Sequence, residues 1–171
     1  QSREVQDEVT KGVFNELRNR IHSLTLVHDM LYQVDDLSDI QLESYFDQLT
    51  GHILRSYQSD GPRLSVELDI DDLELNVNQI VPCGLLVNEL VSNSIKYAFP
   101  DREQGTIYVR LKDVEEGVFL EGSDDGVSLP DEISIQESDS LGLKLVQMMT
   151  QQLGGRLVVE RDRGTKVRIW L

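Results

Sequence analysis

The sequence predicts an α+β domain preceded by a helical segment, and three observations carry that prediction. Thr10, Phe14, Leu17, Ile21, Leu24, His28 and Leu31 recur in alternating steps of four and three, the seam of a helix built to pair with another helix. From LSVELDI onward, apolar and polar residues alternate in short runs, as half-buried strands require. Longer stretches of helical period stand between those runs, so helices and strands are mixed along the rest of the chain.

Each element has its own signal. Asn15, Glu16, Arg18, Arg20 and Asp29 fall outside the seam of the first helix, and the acidic turn residues of YQVDDLSDI end it. LESYFDQLTGHILRSY resumes a helical period through Leu42, Phe46, Leu49, Ile53 and Leu54. SDGPRL is a turn, and LSVELDI follows as a strand. A helix is expected after Pro82, through VNELVSNSIKYAFP. TIYVRLKD and GVFLEGSDDG, separated by the glycine-bearing VEEG, read as a hairpin. VSLPDEISIQESDS is polar, contains Pro130 and fits neither period, so a long loop of the kind that serves as a lid is expected there. LGLKLVQMMTQQLGG reads as a helix stopped by Gly154 and Gly155, and RLVVERDRGTKVRIWL as strand, turn and strand.

The 171 residues suffice for one sizeable core. A net charge of -15 argues against a general nucleic-acid binder, whose affinity rests on cations that neutralise phosphates. Any polyphosphate ligand would need a metal ion and local basic groups on so acidic a protein. No stretch is apolar for long enough to span a bilayer, so no membrane contact is expected. QSREVQDEV lacks a signal-peptide pattern, and the single Cys83 cannot form an internal disulfide, which fits a reducing cytoplasm. Cys83 and the three histidines show no metal-ligand spacing.

Chemistry concentrates in three places. Glu89, Asn93 and Lys96 are spaced by four and three, which lines up an acid, an amide and a base on one helix face. SDDGVSLP then supplies a carboxylate followed by a glycine, which allows a tight turn and close backbone approach to a flat ligand. SLGLKLV puts a glycine at a helix start, where exposed N–H groups attract phosphate. In this order the three describe a nucleotide pocket, although neither GxxxxGK[ST] nor GxGxxG occurs.

These boxes, in this order and ending in GTKVRIWL, resemble the sensor histidine kinases, which share an ATP-binding fold with gyrase, Hsp90 and the mismatch-repair ATPases. VPCGLLVNELVSNSIKYAFP resembles the N box of the histidine-kinase subfamily whose dimerisation helices are classed apart from the commonest type. RNRIHSLTLVHDMLYQVDDLSDI resembles that subfamily's second dimerisation helix and linker. The resemblance implies a two-layer α/β sandwich of the GHKL or Bergerat type, helices on one face of a mixed sheet, over residues 38–171. Residues 1–37 would then be part of the helical dimerisation element. It implies ATP and Mg2+ as ligands, a homodimer formed through the dimerisation helices, and a response-regulator receiver domain as partner.

Residue by residue, the resemblance makes Asn93 the Mg2+ ligand, through an amide oxygen suited to a hard octahedral cation. Glu89 matches the acid that polarises the attacking histidine or a water. Lys96 would face the phosphates, and Tyr97 stands where the family has His or Tyr. Asp124 matches the acid that accepts a hydrogen bond from the adenine amino group, which guanine lacks. Gly126 matches the first glycine of that box. Ser128 stands where a second glycine is usual, and Asp125 replaces a common Asn. Both departures point to weaker affinity, with Ser128 stiffening the lid hinge and Asp125 adding charge near the base. Gly142, flanked by Leu141 and Leu143, matches the glycine of the next box, and Thr165 matches the threonine at the adenine end.

The family phosphorylates a histidine on the first dimerisation helix, within a stretch that often holds two adjacent histidines. His22, His28 and His52 lie in no such stretch. The acceptor is therefore expected upstream of Gln1, and no autophosphorylation is expected of this chain alone. Two rival readings remain: an interaction or phosphotransfer module that keeps the fold without nucleotide, and a GHKL ATPase or serine kinase. The intact Glu89, Asn93 and Asp124 speak against the first, and the heptad helix against the second.

Overall fold

The computed structural model describes residues 14, 17–22, 24–26, 41–57, 62–130 and 140–171. Helix α1 (Leu42–Tyr57) coincides with the second stretch of helical period in the sequence. Its Tyr45, Phe46, Leu49 and Ile53 fall on one face and are fully buried. Burial of side chains of this size contributes about 1.5–3 kcal/mol each.

Strand β1 (Arg63–Ile70) alternates exposed and half-buried residues, as LSVELDI foretold. Helix α2 (Val77–Tyr97) departs from expectation, because it begins before Pro82. The Asn76 side chain accepts from the Asn78 N–H at 2.9 Å, and the Gln79 side chain accepts from the Asn76 N–H at 3.1 Å. This capping box nucleates the helix upstream. Pro82 sits inside the helix, where it lacks the N–H that would bond to the preceding turn. The spacing of Asn76 and Gln79 was the overlooked signal.

Strands β2 (Gln104–Val114) and β3 (Gly117–Asp124) form the expected hairpin. Helix α3 (Leu141–Gln152) precedes β4 (Arg156–Arg161) and β5 (Thr165–Trp170), the second expected hairpin. The sheet order is β1-β2-β3-β5-β4. Among the described residues only β1 and β2 pair in parallel, and α2 is the crossover that parallel neighbours require.

The sheet has two unlike faces. Ile107, Val109 and Leu111 of β2, Leu120 of β3, and Val167 and Ile169 of β5 are buried in the core shared with the helices. Helix α2 packs on β2 and β3, α1 on α2 and β1, and α3 on α2 and β4. The opposite face carries ion pairs: Asp69, Arg110, Glu121 and Arg168 are register partners across four strands. Arg110 and Arg168 donate to the two oxygens of Glu121 at 3.3 and 2.7 Å. A face covered this way needs no second helical layer, hence two layers.

Of the N-terminal seam, Phe14, Leu17, Ile21 and Leu24 are described and all are exposed, while Thr10, His28 and Leu31 lie outside the described residues. The helical residues 17–22 and 24–26 turn mostly polar side chains to the domain, and Leu26 packs on its core. Asn19 donates to Ser56 Oγ at 2.8 Å, and the His22 and His52 rings stack with centroids 3.5 Å apart. The expected lid, Val127 to Asp139, is described only as far as Pro130.

Candidate nucleotide site

The sheet register builds one end of the site. β3 ends at Asp124 just where β5 begins at Thr165, and Ser123 pairs with Lys166. Asp124 is 5% exposed, and three donors surround its carboxylate. Ser94 Oγ on α2 donates to Oδ2 at 2.9 Å, and the N–H groups of Gly126 and Thr165 donate to Oδ1 at 3.1 and 3.3 Å. A carboxylate has about four acceptor positions, so one remains, on Oδ2. Burial pushes the carboxyl above the ordinary carboxylate range; those three donors pull it down, and the Asp125 charge adds to the rise.

Two turns fix this end. Gly164 has φ of +111°, and a Cβ there would collide with the Asp124 carbonyl oxygen, so only glycine closes the β4–β5 turn against β3. Gly126 lies against the Ala98 carbonyl, and the next residue, Val127, donates its N–H to that oxygen at 2.7 Å. Ser128 donates its hydroxyl to the Gly164 carbonyl at 3.0 Å and accepts from the Gly164 N–H at 3.4 Å. The Leu129 N–H donates to Thr165 Oγ1 at 2.9 Å. Ser128 thus ties the start of the expected lid to the turn. Asp125 is exposed, and its side chain accepts from the Thr106 N–H at 2.9 Å, which secures the start of β2.

The other end is built where α2, α3 and the N-terminal helical residues meet. Glu89 is 4% exposed. Its Oε1 accepts from Arg20 Nε at 2.6 Å and from Asn88 Nδ2 at 3.0 Å, and its Oε2 accepts from Arg20 Nη2 at 2.8 Å. Ser140 caps α3, accepting from the Leu143 N–H at 3.3 Å. A Cβ on Gly142 would stand 2.5 Å from Glu89 Oε2, so the start of α3 approaches Glu89 only because residue 142 is glycine. Leu143 packs on the core, and Leu141 is exposed.

Asn93 lies on α2 one turn beyond Glu89 and beside Ser94. It is half-buried, and its side chain makes no hydrogen bond to any described residue. An amide held at that depth without an internal partner suits a hard cation, which is the fit expected of a Mg2+ ligand. Lys96 stands over the Tyr57 ring of α1, 5.7 Å from its centroid, and Tyr97 is 66% exposed. The structure therefore brings Asp124, Gly126, Ser128 and Thr165 into one cluster and Glu89 and Gly142 into a second. Ser94, Gly164 and Arg20 were missed. Gly164 had a signal, since it directly precedes Thr165 in a strand-turn-strand pattern. The other two had none, because an isolated serine or arginine on a helix is ordinary surface.

An α+β sandwich with a carboxylate buried at the end of a central strand and a glycine turn against it is the architecture of a nucleotide-binding ATPase domain. The chain belongs to the histidine kinase-, DNA gyrase B- and HSP90-like ATPase family, whose model matches residues 78–171, and a histidine kinase model matches residues 1–57. That family binds ATP, generally with Mg2+. The chain is 28% identical over 171 residues to the sensor histidine kinase PdtaS of Mycobacterium tuberculosis, a match covering 98% of this chain and 34% of that protein. It is likewise 28% identical to blue-light-activated histidine kinase 2 of Erythrobacter litoralis, over 96% of this chain and 50% of that protein. The histidine kinase domain of the Erythrobacter litoralis EL346 blue-light activated histidine kinase has a TM-score of 0.79 at 26% identity, covering 90% of this chain and 73% of that one. The chain thus spans about a third to a half of the length of these curated relatives. No helix among the described residues is long and apolar enough to cross a membrane.

Proposed function

We propose that this chain is the ATP-binding catalytic region of a two-component sensor histidine kinase, residues 38–171, joined to part of its dimerisation element, residues 1–37. The whole protein, cytoplasmic in this part, transfers the γ-phosphoryl of ATP to a histidine on the dimerisation element and then to an aspartate of a response-regulator receiver domain. The observation that carries this reading is Asp124, a buried carboxylate whose donors leave one acceptor position open. An adenine amino group fills that position as a donor, whereas the guanine carbonyl would set oxygen against oxygen.

Gly126, Ser128 and Thr165 hold the turns around the base, and the first N–H groups of α3, around Leu141, Gly142 and Leu143, serve the phosphates. Asn93 would hold Mg2+, which supplies charge neutralisation between the phosphates. Lys96 adds positive charge to an acidic surface, and Tyr97 stands at the rim. Glu89 is the base. As the histidine nitrogen bonds to the γ-phosphorus, the bond from that phosphorus to the β,γ-bridging oxygen breaks. The imidazole N–H proton passes to the carboxylate, and ADP leaves.

Titration calorimetry with Mg2+ and either ATP or GTP tests the reading. A hydrogen bond to a charged acceptor contributes about 1.5–3 kcal/mol, so ATP should bind roughly ten- to a hundredfold more tightly. Equal affinities would remove the role of Asp124. Incubated with γ-labelled ATP, the chain alone should acquire no acid-labile phosphate, since none of His22, His28 and His52 lies in a stretch of the kind that the family phosphorylates. Label on His22 would overturn the assignment of residues 18–31 to the second dimerisation helix.

A further inference from the structure

Glu89 cannot act as a base in the arrangement described. Both of its oxygens are held by one guanidinium, at 2.6 and 2.8 Å, and Oε1 also accepts from Asn88. The Arg20 side chain is 11% exposed, and its Nη2 lies 3.6 Å from where a Gly142 Cβ would stand. Arg20 therefore sits beside the contact of Glu89 with the start of α3.

The contact that delivers Arg20 has the character of a separable one. Phe14, Leu17, Ile21 and Leu24 are exposed, and none of them belongs to the core, which the segment meets through Leu26. What faces the domain is mostly polar: Asn19 on Ser56, Arg20 on Glu89, and His22 on His52, with Leu26 the apolar side chain of the segment that packs on the core. Asn19 Oδ1 and His52 Nε2 are buried there without a hydrogen bond. Unsatisfied groups of this kind oppose a permanent interface and regain water when it opens.

We propose that Arg20 is a positioning residue that restrains phosphoryl transfer through Glu89. While the guanidinium holds both oxygens the base is silent, and transfer begins when the N-terminal helical segment withdraws its polar face from α2. This rests on the reading of Glu89 as base given above.

The test uses the 171-residue chain as wild type, Arg20→Gln, Arg20→Lys and the double variant Arg20→Gln with Glu89→Gln. Spin labels on Thr25→Cys and Met148→Cys, both exposed, report the separation of the segment from α3 without nucleotide; Cys83 is buried and stays unlabelled. Arg20→Gln should lengthen and broaden that distance, and, with water as the acceptor in place of the histidine, should raise the kcat of Mg2+-ATP hydrolysis at least fivefold with ATP affinity unchanged. Arg20→Lys, which cannot hold both oxygens from one planar fork, should fall between. The gain should vanish in the double variant. An unaltered distance, an absent or reduced turnover in Arg20→Gln, or an equal gain with Glu89→Gln would overturn the proposal. Failure of the wild type to bind ATP in calorimetry would instead overturn the nucleotide site itself, and the restraint with it.

Discussion

The two ends of the site are built on different terms. At the Asp124 end every fixed group already has its partner: Ser94, Gly126 and Thr165 on the carboxylate, Ser128 on Gly164, Leu129 on Thr165. At the Glu89 end the acid is engaged by Arg20, a residue from another element, while the Asn93 side chain makes no hydrogen bond to a described residue. One end is organised in advance, and the other has to be rearranged before it can work. Binding energy should therefore come mainly from the first end, and control of the chemistry from the second.

The substitution that should separate the ends most widely is Asp124→Asn. The amide oxygen keeps the bonds from Gly126 and Thr165, but the charge-assisted acceptor is lost, and ATP affinity should fall about a hundredfold. The fold should not suffer, since burial opposes the ionised form of this carboxyl. Calorimetry and a thermal melt on the same sample check both halves.

Asn93→Ala sharpens the comparison from the other side. It should weaken Mg2+-ATP about tenfold and leave metal-free adenosine untouched, in parallel titrations. Ser94→Ala should cost about 1 kcal/mol of nucleotide binding, roughly fivefold, by freeing one side of Asp124.

The smallest effect is with pH. The Asp124 carboxyl in the folded chain sits above its ordinary value, so its contribution to stability is greatest when protonated and declines as pH rises from the unfolded value through the folded one. Nucleotide binding needs the ionised form and runs the other way, weakening as pH falls through that raised value. Melting and binding, each compared between wild type and Asp124→Asn from about pH 4 to 7, should show the two opposed trends.

Much of this was legible in the residues. Alternation in LSVELDI and TIYVRLKD located β1 and β2 because one sheet face is buried and the other charged, which is the condition under which a period of two is visible. The order of Glu89, Asn93, Asp124, Gly142 and Thr165 outlines a candidate site, of which the structure clusters Asp124 with Thr165 and Glu89 with Gly142. The start of α2 was misplaced because Pro82 reads as a boundary, whereas the capping box at Asn76 overrides it. The bond from Ser94 to Asp124 spans 30 positions, and that from Arg20 to Glu89 spans 69. Such pairings are set by the packing of separate elements and leave no periodic trace. The engagement of the Asp125 side chain by the Thr106 N–H of β2 is another such pairing, 19 positions apart.

The central claim is that base recognition stands ready without the phosphate end. Adenosine, which carries no phosphate, should be titrated into the wild type and into a variant combining Glu89→Gln with Asn93→Ala. The account predicts the same adenosine affinity in both, with loss confined to Mg2+-ATP. A parallel loss of adenosine binding in the double variant would contradict it, because the two ends would then form a single unit.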